Sequence, residues 1–133
     1  MNLDAPYSIS RRLAGIGMDD ARARVTAALQ REGFGVLTEI DLQATLKKKI
    51  DVDVAPYVIL GACNPKLAHA ALSAEAAIGL LLPCNVVVAQ DGLDVLIAAA
   101  SPTSMFSVVE DRAALAAIAG DAEARLRRAI ETA

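Results

Sequence analysis

Apolar residues along the chain switch repeatedly between alternation and a three-to-four-residue spacing, and each switch marks the change from a strand to a helix or back. Tyr7 to Leu13 sets Tyr7, Ile9 and Arg11 against Ser8, Ser10 and Arg12, a strand pattern, and Gly15 and Gly17 then mark a loop. Asp19 and Asp20 put negative charge at the positive end of a helix whose apolar stripe is Ala21, Val25, Ala28 and Leu29, and Gly33 is its expected stop. Phe34 to Ile40 alternates again as a half-buried strand. Asp41 caps a short helix with Leu42, Leu46 and Ile50 on one side and Lys47, Lys48 and Lys49 in its last turn, where cations complement the free carbonyls.

Tyr57 to Ala62 is apolar at every position, which predicts a strand covered on both faces or lying at the centre of the sheet. Asn64 and Pro65 supply an N-cap and a first-turn proline for a helix running to about Ala74. Asn85 to Gln90 and Leu93 to Ala100 read as an antiparallel pair joined by Asp91-Gly92. Pro102 opens a short turn or helix holding Met105 and Phe106. Asp111 then caps a terminal helix with Leu115, Ala119, Ala122, Leu126 and Ile130 at helical spacing and Gly120 in its middle. Strands joined by helices and closed by an antiparallel hairpin define an α+β fold, not a doubly wound sheet.

At 133 residues the chain fits one domain spanning residues 1–133, with a single core. Much of its 55% hydrophobic content is alanine, which favours closely packed helices. The only aromatics are Tyr7, Phe34, Tyr57 and Phe106, and the net charge is -3, so a nucleic-acid platform is not expected. Residues 1–12 lack the apolar run of a secretory signal, and no apolar stretch reaches the length of a membrane span, so the expectation is a cytoplasmic chain with no membrane partner.

Chemistry concentrates at the two cysteines. Cys63 follows an apolar strand and directly precedes the Asn64 cap, a place where free helix N–H groups lower a thiol pKa. Cys84 opens a later strand; if that strand runs antiparallel beside Tyr57 to Ala62, the two sulfurs become neighbours. Small buried cysteines filling space at strand ends are the plainer alternative. The helix start at Asn64, with Lys66 close by, is also a natural anion site, although no glycine-rich nucleotide loop accompanies it. His69, the only histidine, sits on the Lys66 and Ser73 side of that helix and is expected at the surface or a dimer contact. A three-ligand zinc or copper site from Cys63, Cys84 and His69 is chemically conceivable but lacks paired metal-ligand spacing, so no metal is assigned, and His69 starts more than one helical turn from Cys63, which weighs against a thiol–imidazole pair. Glu39 and Asp41 read as a solvated edge and a cap, not as a hydrolytic pair.

Three segments carry a family resemblance: Phe34-Gly35-Val36-Leu37-Thr38-Glu39-Ile40-Asp41, Tyr57-Val58-Ile59-Leu60-Gly61-Ala62-Cys63-Asn64-Pro65, and Ile78 through Val88 with Leu82-Pro83-Cys84-Asn85 at its centre. In that order they resemble the bacterial and archaeal domain of unknown function 302 family. The resemblance implies a TATA-binding-protein-like α+β fold in a single copy, a curved, mainly antiparallel sheet of about five strands with helices packed on it, and a small homodimer. It carries no catalytic residues. The expectation is a domain that binds a small-molecule or anionic ligand, or senses redox state, at a pocket formed by Cys63, Asn64, Cys84 and Asn85, with Lys66 and His69 nearby. Two alternatives stand beside it: an enzyme using a Cys63 thiolate with Cys84 as resolving thiol and His69 or Lys66 tuning charge, and a structural or partner-binding homodimer joined through alanine-rich helices.

Overall fold

The computed structural model describes residues 1–109 and 113–133; the cap expected at Asp111 lies outside the described residues. Strands β1 (Ser8–Leu13), β2 (Gly35–Asp41), β3 (Tyr57–Cys63), β4 (Cys84–Asp91) and β5 (Asp94–Ala100) alternate with helices α1 (Met18–Arg31), α2 (Leu42–Ile50), α3 (Pro65–Ala74), α4 (Pro102–Met105) and α5 (Ala113–Thr132). The strands form one sheet in the order β1-β5-β4-β3-β2, every pair antiparallel, so the α+β expectation holds.

Sequence chemistry sets the element ends. Asp41 accepts a hydrogen bond from the Ala44 N–H (2.9 Å) at the start of α2, and Asn64 accepts one from the Leu67 N–H (3.2 Å) at the start of α3. Gly33, at φ +83°, turns the chain out of α1 in the left-handed region that glycine tolerates. The β4–β5 turn differs by one residue from the expectation. Asp91 pairs with Asp94, so the two turn residues are Gly92 and Leu93, with Gly92 at φ +61° in the first position, as a II′ turn requires. Both flanking carboxylates reach Arg12 (2.8 and 3.1 Å), which fastens the hairpin to β1.

The core lies between one face of the sheet and the helices. Ile9, Val58, Leu60, Val86, Val88, Val95 and Ile97 point toward Val25 and Leu29 of α1 and Leu126 and Ile130 of α5. Each such fully buried aliphatic side chain contributes about 1.5–3 kcal/mol. The alanines have the role their small size suggests: Ala21, Ala28, Ala122 and Ala129 are buried where α1 and α5 approach each other and the sheet. Those four alanines are therefore closed within one chain.

The last turn of α5 is tied to both ends of the first βα unit. Arg11 donates to the carbonyls of Ile130 (3.2 Å), Glu131 (2.9 Å) and Ala133 (2.9 Å), and Arg24 donates to Ala133 (2.8 Å). These carbonyls have no partner within a helix, so the guanidinium groups complete them. At the other end of the core, Ser101 caps α4 and donates to Glu123 of α5, which also accepts from the Thr103 hydroxyl (2.8 Å). Burial would raise the Glu123 carboxyl, but donors from Ser101 and Thr103 outweigh it and hold the group below the ordinary carboxylate range.

β3 departs from its expected position. It is neither central, since β4 is the middle strand, nor covered on both faces: Val58, Leu60 and Ala62 are buried, whereas Tyr57 and Ile59 on the alternate side are only half-buried. Its unbroken apolar character therefore describes a strand with an apolar outer side.

Candidate functional site

The register defines that outer side in three rows. Thr38, Gly61 and Asn85 form the first, ending at Ala100 and Ser8; Ile40, Ile59, Val87, Ala98 and Ser10 form the second; Tyr57, Ala89, Leu96 and Arg12 form the third. Gly61 is required in the first row, because a Cβ there would lie 2.2 Å from Thr38 Oγ1 and 2.9 Å from Pro83 Cγ. Across the β1, β5 and β4 half of this surface runs the N-terminal segment. It is held by a hydrogen bond from the Ser10 hydroxyl to Asp4 and by one from the Ala5 N–H to Ser8 Oγ (2.8 Å).

Between segment and sheet lies a cleft of about 420 Å³. Its floor is Val87, Ala98 and Ala100, its apolar end wall includes Met105, and its polar groups come from Asp4, Tyr7, Tyr57 and Asn85. The volume falls within the roughly 300–1,000 Å³ of small-molecule sites, and an apolar floor with a few polar groups is their usual composition. Asn85 is exposed, so its amide is open to a ligand. Asn85 and Ala89, the partner of Tyr57, are four residues apart on β4, which sets the cleft's polar ends about 13 Å apart at the ~3.3 Å rise of a strand.

Of the six residues expected to form a site, the structure brings three together and leaves Asn85, Lys66 and His69 elsewhere. Cys63, Asn64 and Cys84 line a cavity beneath α3, together with Phe34, Leu67 and Phe106. Lys66 and His69 are on α3 outside that cavity, and Asn85 faces the cleft on the opposite side of the sheet. The expected pairing of thiols also fails. β4 does run antiparallel beside β3, but Cys84 stands opposite Ala62, and Cys63 lies one residue further on. The two thiols are therefore not direct cross-strand partners; they are not close, and both are free.

The cavity beneath α3 has room for only about 30 Å³ of water-sized occupants, enough for about one water and far below the size of a metabolite. Burial pushes the Cys84 thiol up to about 11, and Cys63 adds a smaller push in the same direction. A thiol so placed is protonated at neutral pH and a poor nucleophile. Asn64 is engaged with its helix, and its Nδ2 would lie 2.9 Å from a Cβ placed on Gly33. Among the described residues no three His, Cys, Asp or Glu side chains come together as a metal site. No helix among them is long and apolar enough to cross a membrane.

Tyr7, Tyr57, Val87 and Asp4 had no place in the sequence-based site. The signal that could have found two of them is the apolar outer side of two strands: Tyr57 to Ala62 and Val86 to Val88 offer apolar residues to both faces, and the core needs only one. Asp4 and Tyr7 carry no such signal.

A five-stranded antiparallel sheet with helices packed on one face and a cleft on the other defines an α+β domain. The chain belongs to the family described as domain of unknown function DUF302, whose model matches residues 9–133. It is similar to a solved structure described as an uncharacterized conserved DUF302 protein from Bacillus stearothermophilus, at 31% identity and a TM-score of 0.88, covering 96% of this chain and 98% of that one. No curated protein matches the chain.

Proposed function

We propose that the chain is a small-ligand-binding domain whose site is the cleft between the N-terminal segment and the outer face of the sheet. One observation carries this: the cleft offers about 420 Å³ over a rigid apolar floor with polar groups at both ends, whereas the cysteine-lined cavity offers about 30 Å³. A hollow of similar volume beside Leu80 and Val108 has Glu75 as its one charged wall residue among the described residues and adjoins Val109, the last described residue before Ala113. Its described wall supplies fewer convergent polar groups.

The test is a screen of neutral, cationic and anionic fragments against isotope-labelled protein by amide chemical-shift mapping. Shifts should cluster at Tyr57, Asn85, Val87 and Ala98 and disappear in Val87→Phe, which fills the cleft. Hits confined to the Leu80 hollow, or unaffected by Val87→Phe, would sink the proposal.

A second reading, self-association, draws on the other half of the outer face. Ile40 is 46% exposed on edge strand β2, in the same row as half-buried Ile59, and this apolar strip lies outside the cleft. A second copy of the chain covering it would agree with the homodimer that the family resemblance implies. Sedimentation equilibrium of the full chain should then show a dimer that Ile40→Lys dissociates; a monomer at high concentration would remove this reading and leave the cleft untouched.

A further inference from the structure

We propose that the cleft selects a compact organic cation, an amine or alkylammonium group carried on an apolar body. This rests on the cleft being the ligand site. Among the described residues Asp4 is the one in its wall with a formal charge, and no lysine or arginine lines it. Asp4 accepts from the Ser10 hydroxyl through Oδ1 and, among the described residues, makes no ion pair. The nearby arginines are engaged elsewhere: Arg12 with Asp91 and Asp94, Arg11 with the carbonyls that end α5. An anion entering the cleft would thus meet a carboxylate with no compensating cation.

Aromatic placement points the same way. The chain has two tyrosines and two phenylalanines, and both tyrosines line the cleft while both phenylalanines line the closed cavity beneath α3. A tyrosine ring presents a negative face that attracts an alkylammonium group, and that attraction strengthens when water is excluded. The exposed Asp4 carboxylate contributes little alone, because solvent screens it. Its role is to set the sign of charge admitted, while the rings and the Val87, Ala98 floor hold the body of the ligand.

Three probes of nearly equal shape separate charge from fit: choline, tert-butylethanol and tert-butylacetic acid, titrated into the full chain at pH 7 with amide shifts at Tyr57, Asn85 and Val87 as readout. Choline should bind about fivefold or more tightly than the alcohol, the range expected for a partly desolvated cation over aromatic faces. The carboxylate should bind weakest. Asp4→Asn and Tyr57→Leu should each lower choline affinity while leaving that of the alcohol unchanged. If the alcohol or the acid binds as tightly as choline, the cation inference falls and the cleft stands. If none of the three moves cleft amides, both fall.

Discussion

The two faces of the sheet share five strands and differ in what lies against them. Beneath α1, α3 and α5, Leu29, Val86, Ile97 and Leu126 are fully buried, and the cavity beside the cysteines holds about one water. On the outer face a short N-terminal segment runs over β5 and β4, and an apolar floor remains beside a cleft of about 420 Å³. The lesson is that an apolar strand does not by itself locate a core. Close packing removes the space chemistry needs, so the face with the stronger hydrophobic signal is the less suited to a ligand.

The sharpest way to break this contrast is a truncation on the packed side. Leu126→Ala, at a position with 0% exposure, should cost about 2–5 kcal/mol in urea unfolding, the range for deleting a fully packed leucine. A cost below about 1 kcal/mol would mean that the helix side is not the core.

The next largest effect is a pH dependence. Cys84 ionises near 9 as a free side chain and at about 11 in the fold. Below pH 9 both states keep the proton and the group costs nothing. As pH rises from 9 to 11 the unfolded chain forms thiolate that the folded chain does not, and stability falls by about 3 kcal/mol in total, at about 1.36 kcal/mol for each pH unit crossed. Cys84→Ala should flatten that part of the stability profile; an unchanged slope would show that the thiol is solvated.

Gly61→Ala tests the one crowded point on the outer face and should cost about 1–3 kcal/mol as an overpacked substitution. Adding Thr38→Ala should recover part of the loss, since Thr38 Oγ1 is the nearest obstacle. The smallest effect belongs to Asn85→Ala, an exposed cleft residue. Its stability change should stay within about 0.5 kcal/mol, while fragment shifts in the cleft weaken. A large destabilisation there would make Asn85 structural.

Much of the fold was legible because local chemistry decides it. Asp41 and Asn64 announce helix starts, Gly33 a stop, and Gly92 a hairpin displaced by only one residue from its expected register. The site was far less legible. Cys63 and Cys84 attract attention as reactive residue types, yet whether two thiols pair depends on register, and a one-residue offset sets Cys84 opposite Ala62 instead of Cys63. The cleft depends on something no local pattern encodes: how residues before β1 return across strands formed some ninety positions later. Tyr7 and Tyr57 are fifty residues apart in the chain and come together only through the order of the sheet.

That order also governs how the molecule must assemble. β1 pairs with β5, Ser8 opposite Ala100, so the first strand made has no partner until the β4–β5 hairpin exists. Loop closure over such a span has to precede the contacts that reward it, which places the domain among slower-folding topologies. During synthesis β1 emerges early and waits unpaired, and the cleft, roofed by the residues just ahead of it, can take shape only in the closing step.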